Sequence, residues 1–315
     1  MSKVSTFVRL LTSRDVGLLR RRLRINLRSW RLRLARGQPF VYRLGVPFVC
    51  FPGLADSEET YLTGESDDIE IALLQRWLQR GDAFVDIGAN YGIYSFAACH
   101  FLRGDGVFLA IEASPELNDY LRTSARMLGW NNIILEQKAV GDAVKEITFY
   151  LAPAGKSKGE QSLYPDPERS SDYLPCLIQM STLAEIIRRH PKASCPAAVK
   201  LDIEGAEPLA LQGAPGKWFT STGPLSIVEV NPSALARSGF TCGALVSWFP
   251  LDVFECWLLP HFSLAGARRL PLRRLSKEEM FTDAWFYNLI AIPRGISLSA
   301  RRENIEPILM RATRL

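Results

Sequence analysis

An α/β fold built on a doubly wound, mostly parallel sheet is the prediction for this sequence, and three observations carry it. Apolar runs of strand length alternate with amphipathic runs of helix length through most of the chain after residue 65. The strand-length runs are continuous in Val, Ile, Leu and Phe, as strands covered on both faces require. Acids close four of them, at Asp86, Glu112, Asp202 and Glu229, and in such folds ligands sit beyond the carboxyl ends of the strands.

Residues 1–40 differ from everything after them. They hold ten arginines and one lysine against the single acid Asp15, a balance of +10, so the remaining chain stands at −5 within the total of +5. Phe7, Leu10, Leu11, Leu18, Leu19, Leu23, Leu27, Trp30 and Leu34 recur at mostly three- and four-residue intervals between the arginines. This spacing predicts a basic amphipathic helical arm with a break near Thr12 to Asp15. Three destinations for its apolar face stay open: the domain or a partner subunit, an anionic membrane surface, and RNA or another polyanion. The expected division is the arm at 1–40 and one domain at 41–315, since no internal repeat or second domain is apparent.

The elements follow in order. Residues 66–80 carry polar capping candidates and then Ile69, Leu73, Leu74, Trp77 and Leu78 on one side, a helix that Gly81 stops. A strand at 83–87 enters a glycine turn, and a helix at 92–103 ends at Gly104 and Gly106. A strand at 107–112 precedes Ser114-Pro115, a cap followed by proline at the first helical position, and a helix to about Leu128. Strands are expected at 132–138 and 144–151, then a long loop at 152–175 rich in Gly, Ser, Pro and charge, of the kind that lines or closes a site. A short strand and a helix at 182–190 lead to "AAVKLDIEGAE", a strand ending near Ile203, and "LSIVEVNP" is the next strand. Late strands at 252–259 and 284–291 flank a charged connector.

Composition narrows the chemistry. With 47% apolar and 23% charged residues over 315 positions, the chain is an ordinary folded protein. Six widely spaced cysteines, no Cys-x-x-Cys pair and three histidines indicate neither a zinc cluster nor a disulfide framework. No apolar run reaches the 18 residues of a spanning helix, and no clean signal peptide is visible, so a cytoplasmic setting is expected, with peripheral contact to the inner membrane surface as one role of the arm. Trp218, Trp248, Trp257 and Trp285 read as core or pocket walls, Cys99 as buried filler, and His190 and His261 have no neighbouring nucleophile.

"DAFVDIGANYGIYSF" at 82–96 decides the ligand class. A dinucleotide turn needs three glycines in G-x-G-x-x-G, whereas Gly88 and Gly92 flank an asparagine, Asn90, at the second glycine's place and Ile93 stands at the third's. No G-x-x-x-x-G-K-[ST] loop occurs either. Asp86 beside the turn would repel phosphate and attract an ammonium group. A cofactor with an amino-acid end and a nucleoside end but no phosphate suits that pattern, and S-adenosylmethionine is one. Asp86 would then engage its amino group, backbone N–H groups around Gly88 to Gly92 its carboxylate, and Glu112 the ribose hydroxyls. Val140 would form an apolar wall beside the adenine, with Asp142 a weaker candidate for its exocyclic amine.

"FVDIGANYGIYS" at 84–95 and "VKLDIEGAE" at 199–207, with "IVEVNP" at 227–232 and "YNLIAIP" at 287–293 fitting more loosely, resemble the FkbM-type methyltransferases of the class I S-adenosylmethionine-dependent superfamily. The resemblance spans roughly residues 60–292 and implies a Rossmann-like sheet. It also implies that Asp86, Gly88, Asn90, Gly92 and Glu112 hold the cofactor, that Asp202, Glu204, Glu207 and Glu229 serve the catalytic and acceptor side, and that the acceptor is a hydroxyl of a sugar or of a polyketide or related natural product; the basic arm would suit a lipid-linked sugar or glycan precursor. Ala184 in "MSTLAEII" stands where the family often has aspartate.

Methyl transfer from a sulfonium to a hydroxyl is an in-line substitution whose proton needs a base. Glu204, freer to face the acceptor, and Asp202, close to the sulfonium, are the candidates, and Glu229 on the adjacent strand completes the catalytic side by hydrogen-bonding a second hydroxyl of a polyol. Glu207 is an acceptor-side candidate whose other role is to cap the helix expected from Gly205. The loop residues Gln161 and Ser162, with Lys156 and Lys158, are expected to help define the acceptor pocket. No metal ligand set is assigned. Two alternatives stay open, an N-methyltransferase acting on a protein and a catalytically idle nucleoside-binding domain. A nucleic-acid acceptor is disfavoured, because the domain without its arm is acidic and the fourth strand lacks an Asn/Asp-Pro-Pro-aromatic site.

Overall fold

The computed structural model describes residues 16–63, 68–153, 157, 161–216, 218–260, 272–276, 286–295 and 298–313. The first half of the arm with its expected break, Lys156 and Lys158, His261 and Trp285 lie outside the described residues.

The elements in chain order are α1 (Val16–Leu34), β1 (Phe40–Leu44), β2 (Val46–Cys50), α2 (Ala55–Thr63), α3 (Asp68–Trp77), β3 (Ala83–Ile87), α4 (Ile93–Phe101), β4 (Val107–Glu112) and α5 (Pro115–Leu128). They continue with β5 (Ile133–Gln137), β6 (Ala139–Gly141), β7 (Lys145–Leu151), β8 (Leu174–Thr182), α6 (Leu183–Arg189), β9 (Ala198–Leu201), α7 (Glu207–Gln212) and α8 (Trp218–Thr222). The last are β10 (Leu225–Val230), α9 (Pro232–Arg237), α10 (Cys242–Val246), β11 (Phe254–Pro260), β12 (Arg273–Arg274), β13 (Tyr287–Pro293) and α11 (Ser299–Ala312).

Eight strands form the main sheet in the order β12-β11-β13-β10-β9-β3-β4-β5. β10, β9, β3, β4 and β5 pair in parallel, and β13 inserts antiparallel between β10 and β11. Chain order reverses between β3 and β9, the place where such sheets open a crevice. Period-two alternation splits the core. Val85, Ile87, Val199, Leu201, Val228 and Val230 pack on one face, while Phe84, Phe108, Ala198, Ile227 and Ile290 pack on the other with Leu73, Leu74 and Trp77 of α3. Helix α5 is capped as the Ser114-Pro115 pair predicts, with Ser114 Oγ accepting from Leu117 N.

Several boundaries differ from expectation. Helix α3 ends at Trp77, whose indole N–H donates to Ala197 O at 2.7 Å, and the chain then turns toward Gly81. β9 ends at Leu201, not near Ile203, and the helix expected from Gly205 starts at Glu207. The strand before α6 is nine residues long; it pairs antiparallel with β7 and parallel with β6 in a separate three-stranded sheet. The long loop carries a 3-10 turn at Pro167–Asp172 and a bridge from Ser162 to Tyr150. Trp248 is exposed instead of lining core or pocket. A hairpin of β1 and β2, together with α2, buries Phe48, Val49, Phe51, Leu54 and Tyr61 against Tyr91 and Leu117 of the main domain.

Candidate active site

Two turns meet at the reversal point. In the first, Gly88 N and Ala89 N both donate to Ile111 O, at 2.9 and 3.0 Å, which pins the turn to the end of β4. Gly88 has φ +85°, and a Cβ there would lie 1.7 Å from Asp202 O of the second turn, so no other side chain is compatible with this approach. Asn90 and Glu204, one in each turn, adopt left-handed φ of 52° and 56°. Such backbone in non-glycine residues costs about 1–3 kcal/mol and persists where surrounding structure dictates it.

Glu112 braces the first turn. Its Oε2 accepts from Asn90 N and its Oε1 from Ser114 N, both at 2.9 Å, while Asn118 Nδ2 donates to its backbone carbonyl at 2.8 Å. Gly88, Asn90 and Glu112 of the first turn and its support, and Asp202, Ile203 and Glu204 of the second turn, line one cavity. Val140, Phe149, Leu163 and Leu117 supply apolar surface between them, and Gln161 completes it. Asn90 Oδ1 and both amide atoms of Gln161 are buried without a protein partner. Orphaned groups of this kind cost roughly 1–3 kcal/mol each unless a bound molecule satisfies them.

Behind the cavity lies a buried polar row that crosses the sheet. Ser95 Oγ donates to Asp86 Oδ2 at 2.6 Å, Lys200 pairs with Asp86 across β3 and β9, and Lys200 Nζ reaches Asp202 Oδ2 at 2.8 Å and stacks 5.3 Å from the Tyr94 ring centroid. Glu229 pairs with Asn288 across β10 and β13, and Asn288 Nδ2 donates to Glu70 Oε1 at 2.7 Å. Burial pushes Asp86 up to about 6 and Glu112 up to about 7, in each case against the pull of hydrogen bonds that favour the carboxylate. Glu207 is likewise raised to about 7 by burial. Glu229 is raised further, by burial first and then by the negative charges of Asp202, Glu204 and Glu207.

The FkbM methyltransferase domain matches this chain over residues 86–256, from Asp86 of the first turn past β10. The chain belongs to the FkbM methyltransferase family. A search of curated proteins gave no match. Among solved structures, similarity is found to the FkbM methyltransferase of Methylobacillus flagellatus KT at 17% identity and a TM-score of 0.42, covering 74% of this chain and 52% of that one. This chain therefore spans about half the length of that relative. An S-adenosylmethionine-dependent methyltransferase from Agrobacterium tumefaciens is similar at 9% identity and a TM-score of 0.41, covering 82% and 71%. A SAM-dependent O-methyltransferase from Thermotoga maritima follows at 12% identity and a TM-score of 0.34, covering 78% and 73%.

Within this FkbM domain the residues singled out from sequence separate into two groups. Gly88, Asn90, Glu112, Val140, Gln161, Asp202 and Glu204 come together on the cavity wall. Six others are not among its lining residues. Asp86 lies beneath the turn, held by Ser95. Gly92 starts α4, where a Cβ would strike Phe96 and Leu121, so its role is helix packing. Asp142 faces outward and pairs with Lys145 at 3.5 Å. Ser162 Oγ donates to Glu204 O at 2.9 Å and accepts from Tyr164 N, so its hydroxyl ties the loop to the second turn. Glu207 is spent on the turn itself, accepting from Ile203 N at 2.8 Å and from Gly205 N at 3.0 Å. Glu229 is buried behind Asp202.

Asp202, Glu207 and Glu229, grouped from sequence on the catalytic and acceptor side, bring carboxylate oxygens within 4.8 Å of one another. Backbone N–H groups hold Glu207 and Lys200 holds Asp202, while Glu229 Oε2 is buried without a hydrogen-bond partner. Sequence reasoning missed Lys200, Asn288 and Glu70 altogether, as well as the apolar wall residues Phe149 and Leu163.

Proposed function

We propose that this FkbM methyltransferase uses S-adenosylmethionine to methylate a hydroxyl of a sugar, glycan precursor or natural product. The observation that carries the reading is that Glu112 and Glu204 line one cavity whose polar groups include the unpartnered Asn90 Oδ1 and Gln161 amide. A nucleoside bearing an amino acid offers partners for both kinds of group, and the cavity lacks the glycine clamp that a pyrophosphate requires.

S-adenosylmethionine, when bound, supplies an activated methyl group on a sulfonium. Glu112, already oriented by two backbone N–H groups, accepts hydrogen bonds from a vicinal diol. Val140, Phe149 and Leu163 exclude water around a flat base. Asn90 and Gln161 present their amides to the polar remainder. Asp86 contributes negative potential from under the turn, with no contact of its own at the wall. On the other side, Glu204 is the base that takes the acceptor's proton, positioned by its left-handed backbone and by Ser162 on its carbonyl. Lys200 fixes Asp202 beside it, and Asp202 on the cavity lining would supply negative charge to a bound sulfonium. Glu229, favoured in its protonated form by burial and its acidic neighbours, keeps the charge behind Asp202 from growing further.

Calorimetry with S-adenosylmethionine, its demethylated product and NAD tests the donor: micromolar binding of the first two is expected, and tighter binding of NAD overturns the assignment. Isotope-labelled donor incubated with hydroxyl-rich small-molecule and glycolipid extracts, followed by mass spectrometry and NMR, tests the acceptor. A methyl ether is the expected product; label recovered on protein nitrogen would replace the hydroxyl reading.

A further inference from the structure

Helix α1 carries two apolar faces, and the fold covers one of them. On the covered face Leu32 packs among Phe40, Val41, Tyr42 and Tyr61, and Arg28 is buried, its Nη1 donating to Leu62 O at 3.1 Å and its guanidinium lying 5.3 Å from the Tyr42 ring centroid. On the opposite face Leu23, Leu27, Trp30 and Leu34 are 49, 66, 62 and 56% exposed. Successive residues turn by about 100° in a helix, so these four fall in one narrow stripe. Arg24 and Arg31 run along one flank of it and Arg22 and Arg33 along the other, all exposed. The helix Val16–Leu34 contains seven arginines and no acid.

We propose that this stripe docks on an anionic lipid surface, with α1 lying flat in the interface. Single exposed leucines are ordinary. Four large apolar side chains in register, bordered on both sides by cations and by no acid, match the two requirements of a helix resting in the headgroup region: apolar burial below and basic side chains at phosphate level. No described helix is long and apolar enough to cross a membrane, so the stripe would rest on the surface. A second copy of the chain is a poorer occupant. Stripe-to-stripe packing would press two arginine borders together with no acid in either helix to answer them.

The docked helix would not hang free of the enzyme. It rests on the layer containing α2, where Thr60 Oγ1 and Tyr91 OH share a 2.9 Å hydrogen bond and Asp56 Oδ1 accepts from Ser157 Oγ at 2.6 Å. Tyr91 follows Asn90 in the first turn, and Ser157 belongs to the loop that carries Gln161. Membrane contact would therefore fix the orientation of the cavity relative to the bilayer through one packed layer, whatever the acceptor is.

The test is sedimentation of the full chain with phosphatidylcholine vesicles and with equimolar phosphatidylcholine–phosphatidylglycerol vesicles, at low and raised salt. Pelleting with the anionic vesicles alone, reversed by salt, is expected. Leu27→Ser with Trp30→Ser, and separately Arg22→Gln with Arg33→Gln, should each lower the vesicle affinity about tenfold or more. Both pairs should leave the thermal melt in place, because all four side chains are exposed. Equal binding to both vesicle types, or none to either, overturns the proposal. So does a concentration-dependent dimer, seen by sedimentation equilibrium without lipid, that the Leu27/Trp30 pair dissolves.

Discussion

The two turns that line the cavity read almost alike: Asp86-Ile87-Gly88-Ala89-Asn90 and Asp202-Ile203-Glu204-Gly205-Ala206. Each follows a parallel strand of the same sheet, carries one non-glycine residue in the left-handed region and precedes a helix. Their acids nevertheless have opposite surroundings. Asp86 is the fourth residue of β3 and lies 1% exposed beneath its turn, whereas Asp202 stands one residue beyond β9 with a side chain 30% exposed. The register explains this, since Asp86 pairs with Lys200 and Asp202 N reaches past the ladder to Ile87 O. A shift of two residues relative to the strand end converts the same Asp-Ile pair from a buried support into a presented carboxylate. The first turn is thus built around its backbone, and the second around its side chains.

The largest expected effect follows from that division. Glu204→Gln changes a side chain on the presenting turn and leaves its backbone alone. It should lower kcat by about 10²–10⁴-fold, the usual worth of a general base, with donor affinity within about twofold in calorimetry. Equal loss of donor affinity would show that the second turn also holds the donor. Gly88→Ala attacks the supporting turn through its backbone, because the new Cβ would overlap Asp202 O at 1.7 Å in a left-handed conformation. A stability loss on the order of 3 kcal/mol in denaturant unfolding is expected, with donor binding abolished. A folded Gly88→Ala protein that binds donor normally would mean the turns can part without cost.

Much of this layout was legible, and the exceptions have physical reasons. Ser114-Pro115 announced α5 because capping is a local rule, and the buried parallel strands announced themselves by continuous apolar runs. The hairpin of β1 and β2 was hidden by Pro47, which weakens a strand reading, and α11 by Pro307 inside it. Glu204 was visible as an acid, but its brace Ser162 is 42 residues away in sequence. Lys200 was invisible for a different reason. A lysine beside an aspartate near a strand end has the sequence signature of a solvated surface, and only the sheet register places it at 2% exposure between Asp86 and Asp202.

Glu112→Ala should have the next largest effect. It removes the acid that braces the first turn and that is proposed to bind the ribose diol, and donor binding should weaken by about 1–3 kcal/mol, or roughly 5- to 150-fold. Loss of the brace to Asn90 N contributes to this, so Glu112→Gln should recover part of the affinity. Full affinity in Glu112→Ala would remove the diol-binding role.

Acidity separates support from presentation more gently. Asp86 at about 6 and Glu112 and Glu207 at about 7 are raised by burial above the values near 4 expected in the unfolded chain. Between about pH 4 and 7 the folded state therefore holds more protons than the unfolded one, so these groups contribute stability below that window and lose it as pH rises through it. Against Glu112→Gln, which cannot ionise, the native chain should lose relative Tm from pH 5 to 8. Affinity for a cationic donor should move the other way, rising several-fold as the acids ionise, and a donor affinity flat with pH would count against charge as the support these acids provide.

Asp142 gives the smallest expected effect and the sharpest limit on the comparison. Like Asp202 it stands just past a strand end, following β6. Its strand belongs to the three-stranded sheet, and its carboxylate pairs with Lys145 at 3.5 Å with its side chain 41% exposed. Position beyond a strand is then not enough to present an acid to the cavity, since β6 lines it through Ala139 and Val140 while Asp142 turns away. An exposed ion pair of this kind is worth about 0–1 kcal/mol. Asp142→Ala should therefore shift stability by less than about 0.5 kcal/mol and leave donor affinity within about twofold. A tenfold loss of donor affinity in this variant would mean that Asp142 swings inward on binding, and would move the edge of the donor site from Val140 past the end of β6.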